Sequence, residues 1–353
     1  GKSVKGGTDL AGAWLVPGLC DAGCRLGLVE IGMEKDTHDA TAGENVAPDA
    51  RAVDGYNPRS ELIPIARING VTTVVVHPSL SGLIAGQAAL MRTDGDTLFS
   101  ATIDPGIGMC VQVGRAGQGG DEGPKTRVGV SMKLRKVLDE IELPEDKGKK
   151  KKGNSDEDIS PADQALRAFK RGELRALIKV ERADDIERVL DVIANESLNA
   201  ALVGCAEGHL LAREIADADV PVIVGPLDVQ PNSFQHRFAR YENAALLHEA
   251  GVKLAFRTGS AHGVRALPTL AGLAVAHGLP FEAAIRALTV QPMEMFGRDD
   301  LGRLAEGAEA TFFSVAGDPL QPRHPVHQVW IQGRATSMRT RQTQLYEDFK
   351  VLR

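Results

Sequence analysis

Hydrophobic residues recur along the chain in two alternating patterns. Short β-branched runs such as Val220–Val224 are followed by stretches rich in Ala and Leu with helical spacing, such as Leu267–Ala276. The β-branched runs are typical of strands buried on both faces of a sheet. The alternation therefore predicts repeated strand–helix units with parallel strands and right-handed crossovers.

The predicted units extend over most of the chain. The strands are Gly70–Val76, Leu174–Val180, Ala200–Val203, Val220–Val224 and Val252–Phe256, and the helices are Glu61–Asn69, Asp184–Ala194, Leu210–Ala216, Tyr241–Glu249 and Leu267–Ala276. An open doubly wound sheet would give the same order, but the number of units before residue 280 favours a (β/α)8 TIM-like barrel.

Strand-like runs also occur near both ends of the chain, at Ala13–Val16, Ala310–Val315 and Gln328–Ile331. They predict a small β-sandwich domain formed from both termini. The expected division is 1–16 and 301–353 for the small domain and 17–300 for the barrel.

A block of lysines followed by an acidic block occupies residues 145–161. Such a charge run is typical of a solvated surface insertion. A nucleic-acid or membrane patch is the alternative interpretation, but the acidic half would weaken any basic field.

Composition and charge narrow the classes of protein. The chain has 353 residues, a net charge of −6, 43% hydrophobic and 25% charged residues, and four cysteines. These values exclude a wholly disordered chain and a disulfide scaffold, and they give no reason to expect a nucleic-acid or membrane partner. No apolar run reaches the roughly 20 residues that span a bilayer. The first ten residues lack the apolar core of a signal peptide, and free cysteines favour the cytoplasm. A removed signal peptide would leave an exported form open.

The run Val16–Gly27, VPGLCDAGCRLG, carries a resemblance to a known family. It resembles the first barrel strand of the amidohydrolase superfamily, in its imidazolonepropionase-like branch, which reads roughly PG-[LIF]-[IV]-D-x-H-x-H. Further similar segments are Gly70–Val74, Gly86–Gln87, Arg182–Asp185, Pro221–Pro226 and Gly317–Leu320. The resemblance covers nearly the whole chain and implies the same barrel with a small β domain.

In that family a divalent metal held at the strand ends activates water. Here the matching ligand and base positions hold Gly23, Arg25, Lys179, Gly204 and Gly259. Glycine has no ligand atom and a guanidinium has no lone pair to donate. A divalent ion about 4 Å from one cation would be repelled by about 8 kcal/mol. The resemblance therefore implies neither a metal site, a cofactor nor a catalytic residue at these positions.

The vacated pocket at the barrel mouth is expected to be lined by Arg25, His77, Gln87, Lys179, Glu181 and Arg257. Two interpretations stay open. In the first, Glu181 neutralises Arg25 or Lys179. In the second, the cations form a pocket that binds a carboxylate or phosphate.

Strict alternation along the first strand would direct Gly23 and Arg25 into the lumen. Cys20 and Cys24 would then face the helices as core residues. Cys205 follows Gly204 at a strand end, where either a buried or a reactive thiol is possible.

The resulting hypothesis is a pseudoenzyme with a structural or regulatory role, assembling with itself or with an active amidohydrolase paralog. This role rests on analogy, because a fold does not imply a function. One alternative is a protein that binds a small anion. The other is a hydrolase of cyclic amides or other non-peptide C–N bonds with an altered or relocated metal site.

Overall fold

The computed structural model describes residues 7, 9–79, 81–119, 123–143, 159–228 and 233–352 of the chain. The predicted charged insertion, 145–161, lies outside the described residues except for its last three positions.

The strands divide into two sheets. In chain order they are β1 (Trp14–Pro17), β2 (Leu19–Cys24), β3 (Val71–Val76), β4 (Ile84–Arg92), β5 (Thr102–Gln112), β6 (Arg175–Val180), β7 (Ala200–Gly204), β8 (Val222–Val224), β9 (Leu254–Phe256), β10 (Phe312–Val315), β11 (Val326–Ile331) and β12 (Arg334–Ala335). Strands β2 to β9 form one sheet in sequential order, and β1, β10, β11 and β12 form the other.

The eight-stranded sheet curls into a nearly closed barrel. Just beyond β9, Gly259 N donates to Gly23 O at 2.9 Å, and Arg25 N donates to Ser260 O at 3.2 Å. These bonds join the last strand to the first at the carboxyl ends of both. The barrel fold is therefore α/β, as the alternating pattern predicted.

Strand β4 is antiparallel to both of its neighbours, β3 and β5. The expectation that all barrel strands are parallel is wrong here. The physical reason is the length of the connections: residues 77–83 and 93–101 are too short for the helical crossover that a parallel pair requires.

The helices pack around the barrel and connect its strands. They are α1 (Leu62–Arg67), α2 (Leu98–Ala101), α3 (Arg127–Asp139), α4 (Pro161–Lys170), α5 (Ala183–Glu196), α6 (Ala212–Asp217), α7 (Asn243–Glu249), α8 (Leu267–Ala276), α9 (Phe281–Leu288), α10 (Val290–Met295) and α11 (Arg341–Phe349). Among the described residues, no helix combines the length and apolarity that crossing a bilayer requires.

Two apolar cores lie on opposite faces of the barrel sheet. The lumen core takes residues from every barrel strand, including Val75, Cys110, Leu177 and Ala255. The outer core combines the alternate strand residues with the helices. A side chain two residues beyond a lumen residue on a regular strand points into the same lumen.

Strand β2 breaks this alternation with a bulge. Asp21 pairs with Val74 and Cys24 with Val76, so three steps on β2 oppose two on β3. The extra residue reverses the parity of the strand. Cys20 therefore belongs to the lumen core while Cys24 belongs to the outer core. The prediction that Cys20 faces the helices is wrong, because strict alternation was assumed.

The second sheet joins the two ends of the chain, in the order β1-β10-β11-β12, with all pairs antiparallel. Among the described residues it is a single layer beside the barrel. Phe313 packs on Gly70, where a Cβ would lie 3.0 Å from the ring. Arg92 at the end of β4 forms an ion pair with Glu309, just before β10.

Candidate functional site

Polar and charged side chains meet where the barrel strands end at their carboxyl edge. Arg257 follows β9, His77 follows β3, and Lys179 and Gln112 are paired residues on β6 and β5. Because the carboxyl ends of parallel strands open at one face of a barrel, these elements bring distant residues into one cluster.

Arg257 occupies the centre of this cluster. It is 4% exposed, its Nε donates to Gly23 O at 3.4 Å, and its Nη2 lies 3.3 Å from His77 Nε2. A Cβ at Gly23 would lie 3.0 Å from Nε, and one at Gly259 would lie 2.9 Å from Nη2. The guanidinium therefore fills the space that the two missing side chains leave.

The ring of His77 is neutral and accepts a hydrogen bond from the guanidinium of Arg257. Its Nδ1 lies 2.8 Å from Pro78 O, and a carbonyl oxygen can only accept, so Nδ1 carries the proton and Nε2 accepts from Arg257. Burial, followed by the nearby Arg257 charge, lowers the pKa of His77 to about 3. This histidine is uncharged near neutral pH.

Asp21 lies beneath the cluster and was not assigned a role from the sequence. It is fully buried, and its Oδ1 accepts from Gly23 N and Thr258 N, each at 3.1 Å. Its Oδ2 accepts from the Thr258 hydroxyl. Burial raises the pKa of Asp21 to about 6, although the hydrogen bonds from Thr258 oppose that rise. The signal was present in the sequence, as the Asp of the first-strand motif.

Lys179 and Glu181 come close to each other at the end of β6. Lys179 Nζ is 4.0 Å from Glu181 Oε1, and Ala206 N donates to Glu181 Oε2 at 3.2 Å. A Cβ at Gly204 would lie 2.6 Å from both carboxylate oxygens, so Glu181 occupies the space beside that glycine. Burial raises the pKa of Glu181 and lowers that of Lys179. Of the two partners expected for Glu181, the structure brings Lys179 within ion-pair distance.

Arg25 lies at the rim of the mouth and is half-buried. Within the described part of the chain it forms no ion pair within 4 Å, although its charge reaches both His77 and Lys179 and lowers their pKa values. Arg257, not Arg25, therefore takes the central position.

Gln112, the last residue of β5, is a buried residue that sequence reasoning missed. It is 0% exposed, and neither its amide oxygen nor its amide nitrogen has a hydrogen-bond partner among the described residues. Cys110, two residues earlier, belongs to the lumen core, so Gln112 points into the lumen. Only its three-dimensional setting distinguishes it from other glutamines.

Gln87 was expected in the same pocket, but its polar group is committed elsewhere. Its Nε2 donates to Pro48 O at 3.0 Å, and its own strand position pairs with Met109, below Gln112 on β5. The antiparallel course of β4 explains this placement, because β4 runs from the mouth back into the barrel.

A cavity of about 330 Å³ opens beside the cluster. Its lining includes Glu181, Gly204, His236, Tyr241 and Asn243. His236 Nε2 lies 4.0 Å from Glu181 Oε1. The cavity therefore borders the cluster at Glu181.

The comparisons with known proteins agree with this architecture. The model of the amidohydrolase family matches residues 239–336. Amidohydrolase tasK from Hapsidospora irregularis is 23% identical over 360 residues, which cover 93% of this chain and 37% of that protein. The chain is therefore similar to amidohydrolases, with the match to the family model confined to its C-terminal part. It spans little more than a third of the length of this curated relative.

Solved amidohydrolases share the fold of this chain. An amidohydrolase from Thermotoga maritima MSB8 has a TM-score of 0.85 at 23% identity, covering 94% of this chain and 89% of that one. A prolidase complexed with N-methylphosphonate-L-proline has a TM-score of 0.54 at 13% identity, covering 92% and 87%. At these identities the likeness concerns the fold alone.

The side chains at the mouth of this barrel do not suit a divalent metal. Among the described residues, no group of three or more His, Cys, Asp or Glu side chains is placed to hold an ion. The group at the centre of the cluster is the guanidinium of Arg257, which has no lone pair to donate to a metal. His77 Nε2 already accepts a hydrogen bond from this guanidinium. The four cysteines are buried, and burial raises the pKa of the Cys20, Cys24, Cys110 and Cys205 thiols.

Proposed function

We propose that this chain is a pseudoenzyme of the imidazolonepropionase-like branch, in which the hydrolytic metal centre of the barrel has been replaced. Its role is structural or regulatory. The single observation that carries the proposal is the Arg257 guanidinium, packed between Gly23 and Gly259 and bonded to His77.

Charge and ligand chemistry support this proposal. The positions at which the family resemblance expects ligands hold glycine, arginine or lysine, and their space is taken by Arg257 and Glu181. A fixed positive charge at the centre repels a divalent ion, and no cluster of described carboxylates offsets it. Hydroxide generation on a metal therefore lacks both a site and a favourable field.

Elemental analysis of the purified protein, joined to hydrolysis assays on an imidazolone and a hydantoin, tests the proposal. We expect substoichiometric zinc, manganese and iron and no turnover. A double variant, Arg257→Ala with Gly23→His, provides the comparison, and we expect it to retain more zinc than the natural chain. Stoichiometric metal in the natural chain with turnover that a chelator abolishes would establish a hydrolase instead.

The assembly part of the proposal is supported by helix α11. No residue of this helix is buried, and Leu345, Tyr346 and Phe349 are 45%, 67% and 58% exposed. Such a cluster is typical of surfaces that another protein covers. The proposed partner is a second copy of this chain or an active amidohydrolase.

Native mass spectrometry of the protein isolated from its own source tests this assembly. We expect an oligomer, and we expect Leu345→Glu with Phe349→Glu to weaken it. The matched control is Gln342→Glu with Gln344→Glu on the same helix. A monomer in every preparation would contradict the assembly role.

A further inference from the structure

We infer that the barrel mouth is a binding site for a small monocarboxylate, held between Arg257, Lys179 and the amide of Gln112. This inference rests on the proposed function, because a metal ion and this anion would require the same space.

The side-chain amide of Gln112 has no partner among the described residues. Leaving a buried amide without hydrogen bonds is unfavourable, so buried amides are normally paired. Gln112 is 0% exposed and points into the lumen, beside Lys179 in the strand register. A carboxylate oxygen bound within hydrogen-bond distance of this amide would accept from its Nε2.

The Arg257 guanidinium has N–H donors left over. Its Nε donates to Gly23 O and its Nη2 donates to His77 Nε2, and the rest of its five N–H donors have no acceptor among the described residues. A planar carboxylate matches the fork of these free donors.

The charges of the side chains around this site do not cancel. Arg25, Lys179 and Arg257 contribute three positive charges, Asp21 and Glu181 contribute two negative charges, and His77 is neutral. Asp21 is already satisfied by Thr258 and Gly23. One positive charge remains, which a monocarboxylate balances and a dianionic phosphate would exceed.

The site is reachable from solvent. The Lys179 side chain is 26% exposed and that of Glu181 is 16% exposed, and Glu181 lines the 330 Å³ cavity beside the mouth. The ligand would enter past these two side chains. Because Gln112 is fully buried and Arg257 is 4% exposed, the space beside them is small, so we expect short carboxylates such as propionate or butyrate rather than long-chain fatty acids.

Thermal shift and isothermal titration of the full chain with propionate, butyrate, succinate and inorganic phosphate test this inference. We expect saturable stabilisation by the monocarboxylates at millimolar concentration, and weaker or no stabilisation by phosphate and by sodium chloride at equal ionic strength. A preference for phosphate or succinate over the monocarboxylates would overturn the assigned ligand class.

Three variants locate the binding. Gln112→Glu keeps the side-chain shape but places a negative charge at the site, and Lys179→Met removes a cation while retaining length. We expect each to weaken propionate binding by about tenfold or more. Lys253→Met, at an exposed lysine paired with Asp219, is the control and should leave binding unchanged. Undiminished binding in both site variants would overturn the inference.

Metal analysis of the same samples separates this inference from the proposed function. Metal-free protein without any carboxylate-dependent shift would remove the ligand and leave the pseudoenzyme proposal standing. Stoichiometric metal, with carboxylate binding that a chelator abolishes, would remove both.

Discussion

At the level of single residues, Arg257 and the glycines beside it constrain one another. The guanidinium leaves 3.0 Å or less for a Cβ at Gly23 or Gly259, so neither position accepts a larger residue while Arg257 stays in place. Conversely, an arginine at 257 fits only because both neighbours lack side chains. These residues form one packing unit, although they are far apart in the chain.

Gly23→Ala tests this unit. We expect a loss of about 1–3 kcal/mol in the free energy of unfolding, because the new methyl group lies 3.0 Å from Arg257 Nε and the buried guanidinium must shift to make room for it. Gly32→Ala, where nothing lies within 4 Å of the added Cβ, is the control and should change stability by no more than about 0.5 kcal/mol. Adding Arg257→Ala should recover part of the loss in a double-mutant cycle. Strict additivity would contradict the shared site.

The neutral state of His77 predicts a pH dependence of stability. Its pKa is about 3 in the folded chain and near 6.5 in the unfolded chain, so the unfolded state binds the proton first as pH falls. His77 therefore lowers the free energy of unfolding by up to about 1.4 kcal/mol for each unit that the pH falls between 6.5 and about 3. Asp21 has the opposite effect. Its pKa is raised from 3.8 to about 6 in the folded chain, so the folded state binds the proton first, and the free energy of unfolding rises as the pH falls between those values.

Comparison with His77→Gln isolates the histidine contribution. We expect the stability difference between the natural chain and the variant to fall with decreasing pH between 6 and 4, as measured by urea unfolding. His327→Gln, at an exposed position, should give a difference that does not change with pH. A flat difference for His77→Gln would show that the ring takes up its proton as readily in the folded chain as in the unfolded chain.

At the level of elements, the seam between β2 and β9 closes the barrel, and Asp21 holds it. Its carboxylate accepts from one backbone N–H on its own strand and from the N–H and hydroxyl of Thr258 after β9. Gly23, whose N–H bonds to this carboxylate, also accepts from Arg257 Nε through its carbonyl oxygen. The seam and the position of Arg257 therefore share Gly23.

Asp21→Ala should destabilise the chain by about 2–4 kcal/mol, because it leaves the N–H groups of Gly23 and Thr258 buried without an acceptor. Asp21→Asn retains an oxygen for both, and it also removes a buried charge, so we expect a loss of less than half that size. Urea unfolding at pH 7 measures both, and faster hydrogen exchange at Thr258 should appear only in the alanine variant. Equal losses would contradict the role of the carboxylate oxygen as the seam acceptor.

For the whole molecule, the small sheet and the barrel are joined by the Arg92–Glu309 ion pair and by Phe313 on Gly70. The ion pair is largely buried, with side chains 11% and 18% exposed. Both tryptophans, Trp14 and Trp330, lie in the small sheet. Tryptophan fluorescence therefore reports the sheet, while far-ultraviolet circular dichroism reports mainly the barrel.

We expect the two signals to unfold with one midpoint in the natural chain. Arg92→Ala leaves Glu309 without its partner, so it should cost about 2–4 kcal/mol and move the fluorescence transition to lower urea than the dichroism transition. Arg323→Ala, in an exposed turn, should change neither. Separate midpoints in the natural chain would show that the sheet unfolds on its own.

The positions of most elements follow from the sequence, because strand and helix propensity and hydrophobic spacing are local properties. Leu267–Ala276 coincides with α8, and the terminal runs became β1, β10 and β11 of one sheet. The resemblance to the amidohydrolase superfamily could be recognised for the same reason, since the motifs that carry it are short and contiguous.

Only the tertiary structure decided the arrangement of the site. The direction of β4 and the bulge in β2 depend on partner strands, and they determine that Gln87 lies away from the mouth and that Cys20 faces the lumen. The central position of Arg257 depends on glycines from two other places in the chain. Register and packing are properties of pairs of distant segments, so no local pattern in the sequence records them.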